Sequence, residues 1–244
     1  MKRGQLTIFI IIAILIIAVV ALFFVFRGNL NLPGKPASPE TAEIQNFVQE
    51  CLDDSLEKVV FRIGENGGYY SPPKISTTLL EVSYYIKDNK NLMPAKEKIQ
   101  EEISNGVSRE LILCLEDFAQ FPEYEITKGK INSPEVIIEP DRILVDVNYP
   151  LTITRENSKS KLGNFNSEVP VRLGIVYDAV AEFIGEEFKT EGFCMTCLAE
   201  KVLENDLKVS YSNYDERTYL FIIEDPQSKI NENEFVYIFA NEYS

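Results

Sequence analysis

Cys194-Met195-Thr196-Cys197 is a C-x-x-C motif at the start of a predicted helix, where the helix dipole acidifies a thiol and favours thiol–disulfide exchange. A thiol–disulfide oxidoreductase would set this pair directly after a strand in a parallel βαβ unit, whereas here a predicted helix and Gly192 precede it. A local structural disulfide is therefore the expected state. Cys51 and Cys114 fall within the apolar stripes of two other helices. Packed together, those helices would bring the two thiols within bonding distance, although four cysteines permit three pairings. A four-cysteine zinc site would need Cys51 and Cys114 as its second pair, but they lie 63 positions apart rather than clustered.

Carboxylate chemistry has three candidate pairs: Asp53-Asp54, Glu101-Glu102 and Glu186-Glu187. Each lies opposite a predicted apolar stripe, so a solvated helix face is the expectation. No spacing of an EF-hand calcium loop occurs. Ser158-Lys159-Ser160-Lys161 has the letters of an S-x-x-K acyl-transfer site. It falls in a polar hairpin turn, where nothing desolvates the lysines. The chain has no histidine, which excludes Ser-His-Asp and Cys-His nucleophile systems, His-ligated metals and imidazole acid–base chemistry. Tryptophan is also absent, and no Asn-x-Ser/Thr triplet occurs. No catalytic, cofactor-binding or metal-ligating residue is assigned, and an enzyme is the less favoured reading. Gly68-Tyr69-Tyr70 and Val82-Ser83-Tyr84-Tyr85 are rich in a residue favoured at interfaces, and serve equally well to cover a core.

The elements that would position these residues follow from periodicity. Ser38 can cap a helix with Pro39 at its first position, and Ile44, Phe47, Val48, Cys51, Leu52, Leu56, Val59, Val60 and Ile63 recur at helical spacing up to Gly64. Turn residues follow, and Ile75 to Ile86 reads as either a strand or a short helix. Pro94 opens a second helix with Ile99, Ile103, Val107, Leu111, Cys114, Leu115 and Phe118 on one face and Gly106 as its weak point. From Tyr124 the period changes to two, most clearly in Ile143, Val145, Val147, Tyr149, Leu151 and Ile153. That strand sits in an antiparallel meander from Glu135 to Val171. A third helix has Leu173, Val176, Tyr177, Val180, Ala181, Ile184 and Phe188 on one face, and a fourth runs from about Met195 to Glu204. Three strands close the chain, near Leu207 to Tyr211, Thr218 to Ile223 and Phe235 to Ala240. The order predicts an α+β fold with helices packed on antiparallel sheet. The chain thus divides into residues 1–27, a Pro/Gly-rich stalk at 28–39, a helical part at 40–123 and an antiparallel α+β part at 124–244.

Residues Leu6 to Phe26 are apolar apart from Thr7. At ~1.5 Å per helical residue they span about 31 Å, the thickness of a bilayer's hydrocarbon core. Lys2 and Arg3 precede the span and Arg27 alone follows closely, so the expected topology is N-terminus cytoplasmic and residues 28–244 extracytoplasmic. The span is longer than a secretory signal's apolar region and lacks its small-residue cleavage site, which predicts a retained anchor. Lys2-Arg3-Gly4-Gln5 directly before the apolar run resembles the archaeal class III signal of type IV pilin-like proteins. The resemblance implies cleavage between Gly4 and Gln5. Thr7 suits the family's third position after the cut, while Phe9 stands where the family has Glu. The stalk, with Pro33, Pro36 and Pro39, also departs from the family's continuous first helix. The remainder of the chain is assigned to no family.

Beyond residue 27 the chain carries 21 Lys and Arg against 38 Asp and Glu, a net charge of −17. That balance excludes nucleic acid as a partner and disfavours lying flat on anionic lipid. The expected function is a single-pass, membrane-anchored cell-surface protein with an acidic extracytoplasmic domain for contact, adhesion or envelope assembly. Its partners would be the bilayer, through Leu6 to Phe26, and a protein contacting the domain. The alternatives are a pilin-like filament subunit and a membrane-tethered thiol–disulfide protein using Cys194 and Cys197.

Overall fold

A computed structural model of the protein describes residues 39–190 and 195–243. The chain divides into two units, Met1–Ala42 and Glu43–Ser244. Among the described residues, the second unit holds both sheets and, but for the first turn of one helix, all the helices. Among the same residues no helix is long and apolar enough to cross a membrane. The expected span at Leu6 to Phe26 and the stalk up to Ser38 lie outside them.

The first helix, α1 (Pro39–Glu65), buries the stripe expected of it, with Ile44, Val48, Cys51, Leu52, Leu56, Val59, Val60 and Ile63 all at 2 % exposure or less. The second, α2 (Lys96–Leu115), buries Ile99, Ile103, Val107, Leu111 and Leu115. The two run antiparallel, since Cys51 meets Cys114, Lys58 meets Glu110, and Val59 meets Gly106. Gly106 is a requirement of this packing rather than a weakness in the helix. A Cβ there would lie 2.8 Å from both Val59 and the Tyr70 ring, closer than real Cβ atoms come, so the intrinsic cost of a helical glycine is offset by the close approach.

Between these helices the chain forms a hairpin, β1 (Tyr84–Lys87) and β2 (Lys90–Asn91), turning through Asp88 and Asn89 at positive φ. After α2 a broken edge strand, β3 (Glu125–Lys128) and β4 (Glu135–Ile138), pairs with successive halves of β5 (Ile143–Arg155). β6 (Ser158–Val169) pairs along the other edge of β5. The odd-numbered residues of β5 from Ile143 to Ile153 are buried, matching the period-two pattern. Tyr149 and Pro150 share one register step opposite Gly163. This bulge lets a central strand tolerate a residue with no N–H to give the ladder. This sheet is antiparallel throughout and leaves a polar face, across which Asn132, Asn148 and Asn164 are joined by side-chain hydrogen bonds of 2.7 and 2.6 Å.

The helices α3 (Leu173–Thr190) and α4 (Met195–Glu204) come next, then β7 (Lys208–Asn213), β8 (Thr218–Ile230) and β9 (Asn233–Glu242). The second sheet has the order β2-β1-β9-β8-β7. The fold is α+β, with one departure from the antiparallel sheet expected: β1 and β9 are parallel. These strands are far apart in sequence, and a parallel pair needs such a long connection rather than a hairpin. Tyr85, Phe239 and Phe221 stack across three strands at centroid separations of 4.8 and 5.1 Å, and Phe183 of α3 packs 5.5 Å from Phe221. One apolar core joins both sheets and α1 to α4.

On α3 the buried face differs from the expected stripe. Phe188 is 43 % exposed, whereas Phe183 and Ala179 are buried and Glu187 takes the next inward position at 2 %. The spacing from Leu173 through Val176, Val180, Phe183 and Ile184 to Glu187 keeps helical period, so geometry rather than polarity decides which side chain turns inward.

Candidate functional site

Cys51 and Cys114 are joined by a disulfide with their Cα atoms 5.6 Å apart, as the inward stripes of two antiparallel helices permit. Cys197, in the first turn of α4, is also disulfide-bonded, and Cys194 lies outside the described residues.

The carboxylate pairs separate on folding. Asp53, Asp54 and Glu101 face solvent, as expected of helix surfaces. Glu102 instead accepts the Tyr70 backbone N–H at 3.2 Å and pairs with Lys98 at 3.0 Å. Glu187 is a correction to the solvated-face expectation. It is buried on α3 and accepts hydrogen bonds from Asn241 Nδ2 at 2.9 Å and Tyr243 Oη at 2.7 Å. Among the described residues the Oδ1 atom of Asn241 is buried without a hydrogen-bond partner. Among the described residues no cluster of three or more His, Cys, Asp or Glu is set to hold a metal ion. Ser158 to Lys161 open the largely exposed start of β6, paired with β5 from Thr152 to Arg155. The tyrosine-rich pieces cover the core: Tyr70, Tyr84 and Tyr85 are buried and Tyr69 is half-buried.

Two ionic centres were not visible as motifs. In the first, Glu110 of α2 is 7 % exposed and accepts a hydrogen bond from Tyr70 Oη and another from Lys58 Nζ, both at 2.5 Å. The Arg62 guanidinium lies 5.3 Å above the Tyr70 ring. Burial alone would raise the Glu110 carboxyl, but these donors and the charges of Lys58 and Arg62 outweigh it and hold it below its usual value. Burial and the bond to Glu110 push Tyr70 the other way. In the second centre, Asp225 is fully buried where β8 bulges. One guanidinium edge of Arg172 binds it through Nε and Nη2, Ser228 Oγ donates to it, and the Gln227 N–H does so at 3.1 Å. Burial opposes its ionisation, yet these bonds together keep its carboxyl below the usual range. The sequence signals were one charged residue at an inward helical position and one inside Asp225-Pro226-Gln227-Ser228, which reads as a turn.

The Glu110 centre borders an open groove of about 390 Å3 between α1 and the β8–β9 hairpin. Asp54, Glu57, Lys58 and Phe61 line one side and Ile230, Asn231 and Asn233 the other. Phe61 is half-buried there, Ile230 is buried, Asp54 is exposed and Glu57 is half-exposed. No family model, no curated protein and no solved structure matches this chain.

Proposed function

We propose that this chain is a single-pass membrane protein whose acidic α+β domain lies outside the cytoplasm and serves contact, adhesion or envelope assembly. The carrying observation is the order of its parts. Lys2 and Arg3 precede 21 residues, Leu6 to Phe26, that are apolar but for Thr7, and a domain with a net-negative charge follows the stalk. The disulfide between Cys51 and Cys114 supports the same placement, because such bonds persist in oxidising compartments. The carboxylates of Asp54 and Glu57 beside the groove suit binding rather than turnover. Membrane fractionation tests the anchor: alkaline carbonate should leave the full chain in the pellet and detergent should release it. Release by carbonate would overturn the anchor.

A second reading is favoured by Lys2-Arg3-Gly4-Gln5 and Thr7, which fit pilin-like processing. Mass spectrometry of the mature protein should then find Gln5 at the N-terminus. An intact Met1 or Lys2 rejects that route, and Phe9 in place of Glu already weakens the further step to a filament. Thiol exchange through Cys194 and Cys197 is the third reading, and it fails if the pair stays oxidised at strongly reducing potentials.

A further inference from the structure

We propose that the domain carries a knob and a socket for a second copy of this chain, the Leu79–Leu80 turn of one molecule seating in the groove between α1 and the β8–β9 hairpin of the next. Leu79 is 84 % exposed and Leu80 is 56 % exposed. Ser76 to Leu80 carry no charge. The turn is fastened rather than loose. Ser76 bridges Ser83, the Thr77 N–H donates to Val82 O at 2.9 Å, and the Glu81 N–H donates to Thr77 O at 3.0 Å. Tyr214 Oη accepts the Leu79 N–H at 3.1 Å and meets Thr78 Oγ1 at 3.0 Å. Two large apolar side chains are thus held in water on an ordered turn, where they add nothing to the core. A partner that covers them pays little ordering entropy.

The socket matches this knob in size and charge. Its volume of about 390 Å3 accepts two leucine side chains, and half-buried Phe61 provides apolar contact for them. Lys74 is exposed five residues before Leu79, and Asp54 and Glu57 lie at the groove. None of these three makes an ion pair among the described residues, so a seated knob would give Lys74 carboxylate partners. Glu81 adds one negative charge at the knob, and Lys58 at the groove is held by Glu110.

Position decides that the contact is between molecules. Tyr214, which holds the knob, donates its N–H to Thr218 O at 2.9 Å, and Thr218 is the first residue of β8. Ile230, which lines the socket, is the last. Thr218 pairs with Glu242 and Ile230 with Asn233, so nine steps of β9, about 30 Å at ~3.3 Å per residue, separate knob from socket. A contact between unlike surfaces at opposite ends of one strand is heterologous, and repeats from copy to copy. It does not depend on where in the cell the domain sits.

Sedimentation velocity of the full-length chain in a non-ionic detergent tests this. The wild-type protein should form oligomers that grow with concentration. L79S/L80S removes the knob's apolar surface and D54K/E57K reverses the socket's charge, all at exposed or half-exposed positions. Each should weaken association about tenfold or more while leaving the melting temperature unchanged. Mixed together, the two variants retain one intact knob and one intact socket between them, so they should form dimers and nothing larger. A wild-type chain that stays monomeric, or two folded variants that fail to pair with each other, would overturn the proposal.

Discussion

Tyr70 donates its hydroxyl hydrogen to Glu110 at 2.5 Å, tying the segment that follows α1 to the middle of α2. Both groups are buried, and the Lys58 ammonium completes the site. Tyr70→Phe leaves Glu110 its bond to Lys58 and should cost about 1 kcal/mol. Glu110→Ala leaves the Tyr70 hydroxyl buried without an acceptor, and should cost about 2–3 kcal/mol. Urea unfolding of the two single variants and the double variant measures the coupling, which should be favourable.

Gly106→Ala should destabilise the domain although alanine favours helix. The propensity gain is about 1 kcal/mol, whereas a methyl placed 2.8 Å from Val59 and Tyr70 forces the helices apart. Overpacking of this kind typically costs about 1–3 kcal/mol. A melting temperature below that of the wild type is expected.

The disulfide between Cys51 and Cys114 closes a sequence separation of 63 residues. On the chain-entropy account a loop of that length contributes on the order of 4 kcal/mol. Cys51→Ser/Cys114→Ser should therefore lower stability by a large part of that amount, measured by denaturant unfolding with Cys194 and Cys197 left intact.

Asp225 gives the domain an acid sensitivity of definite sign. Its carboxyl is held below the ordinary range in the folded state by Arg172, Ser228 and the Gln227 N–H. The stability it contributes is therefore present above the unfolded value near 4, and is lost as pH falls through the folded value below that. Asp225→Asn should lower stability at neutral pH and flatten its dependence on pH in the acid limb. Chemical unfolding of both proteins between neutral and acid pH checks this.

Burial pushes Tyr85 and Tyr237 well above the ordinary tyrosine value, with their hydroxyls 2.6 Å apart. Stability linked to them is present below pH ~10 and is lost as pH rises beyond it. Their phenolate absorbance should appear only together with alkaline unfolding. Titration of either ring in the folded protein would contradict the packing.

These centres show which parts of the molecule could be read from the chain. The stripes of α1 and α2 and the alternation of β5 depend on local period, and local period survives into the fold. Glu187 and Asp225 did not read as buried because polarity argues for solvent. Each is kept inside by partners distant in sequence: Asn241 and Tyr243 for one, Arg172 for the other. The extension of β8 through Pro226 to Ile230 was hidden for the same reason, since the bulge that accommodates it is organised by buried Asp225. The parallel pairing of β1 with β9 has no local signal at all. The groove likewise joins α1 to a hairpin near the other end of the chain.

The most direct test of the proposed location is labelling of intact cells with a membrane-impermeant amine reagent, followed by mass spectrometry of the exposed residues Lys74, Lys130 and Lys159. Lys130 and Lys159, which lie away from the proposed knob, should be modified in intact cells to the extent seen after lysis. Protection of all three in intact cells, with full labelling after lysis, would place the domain in the cytoplasm and contradict the account.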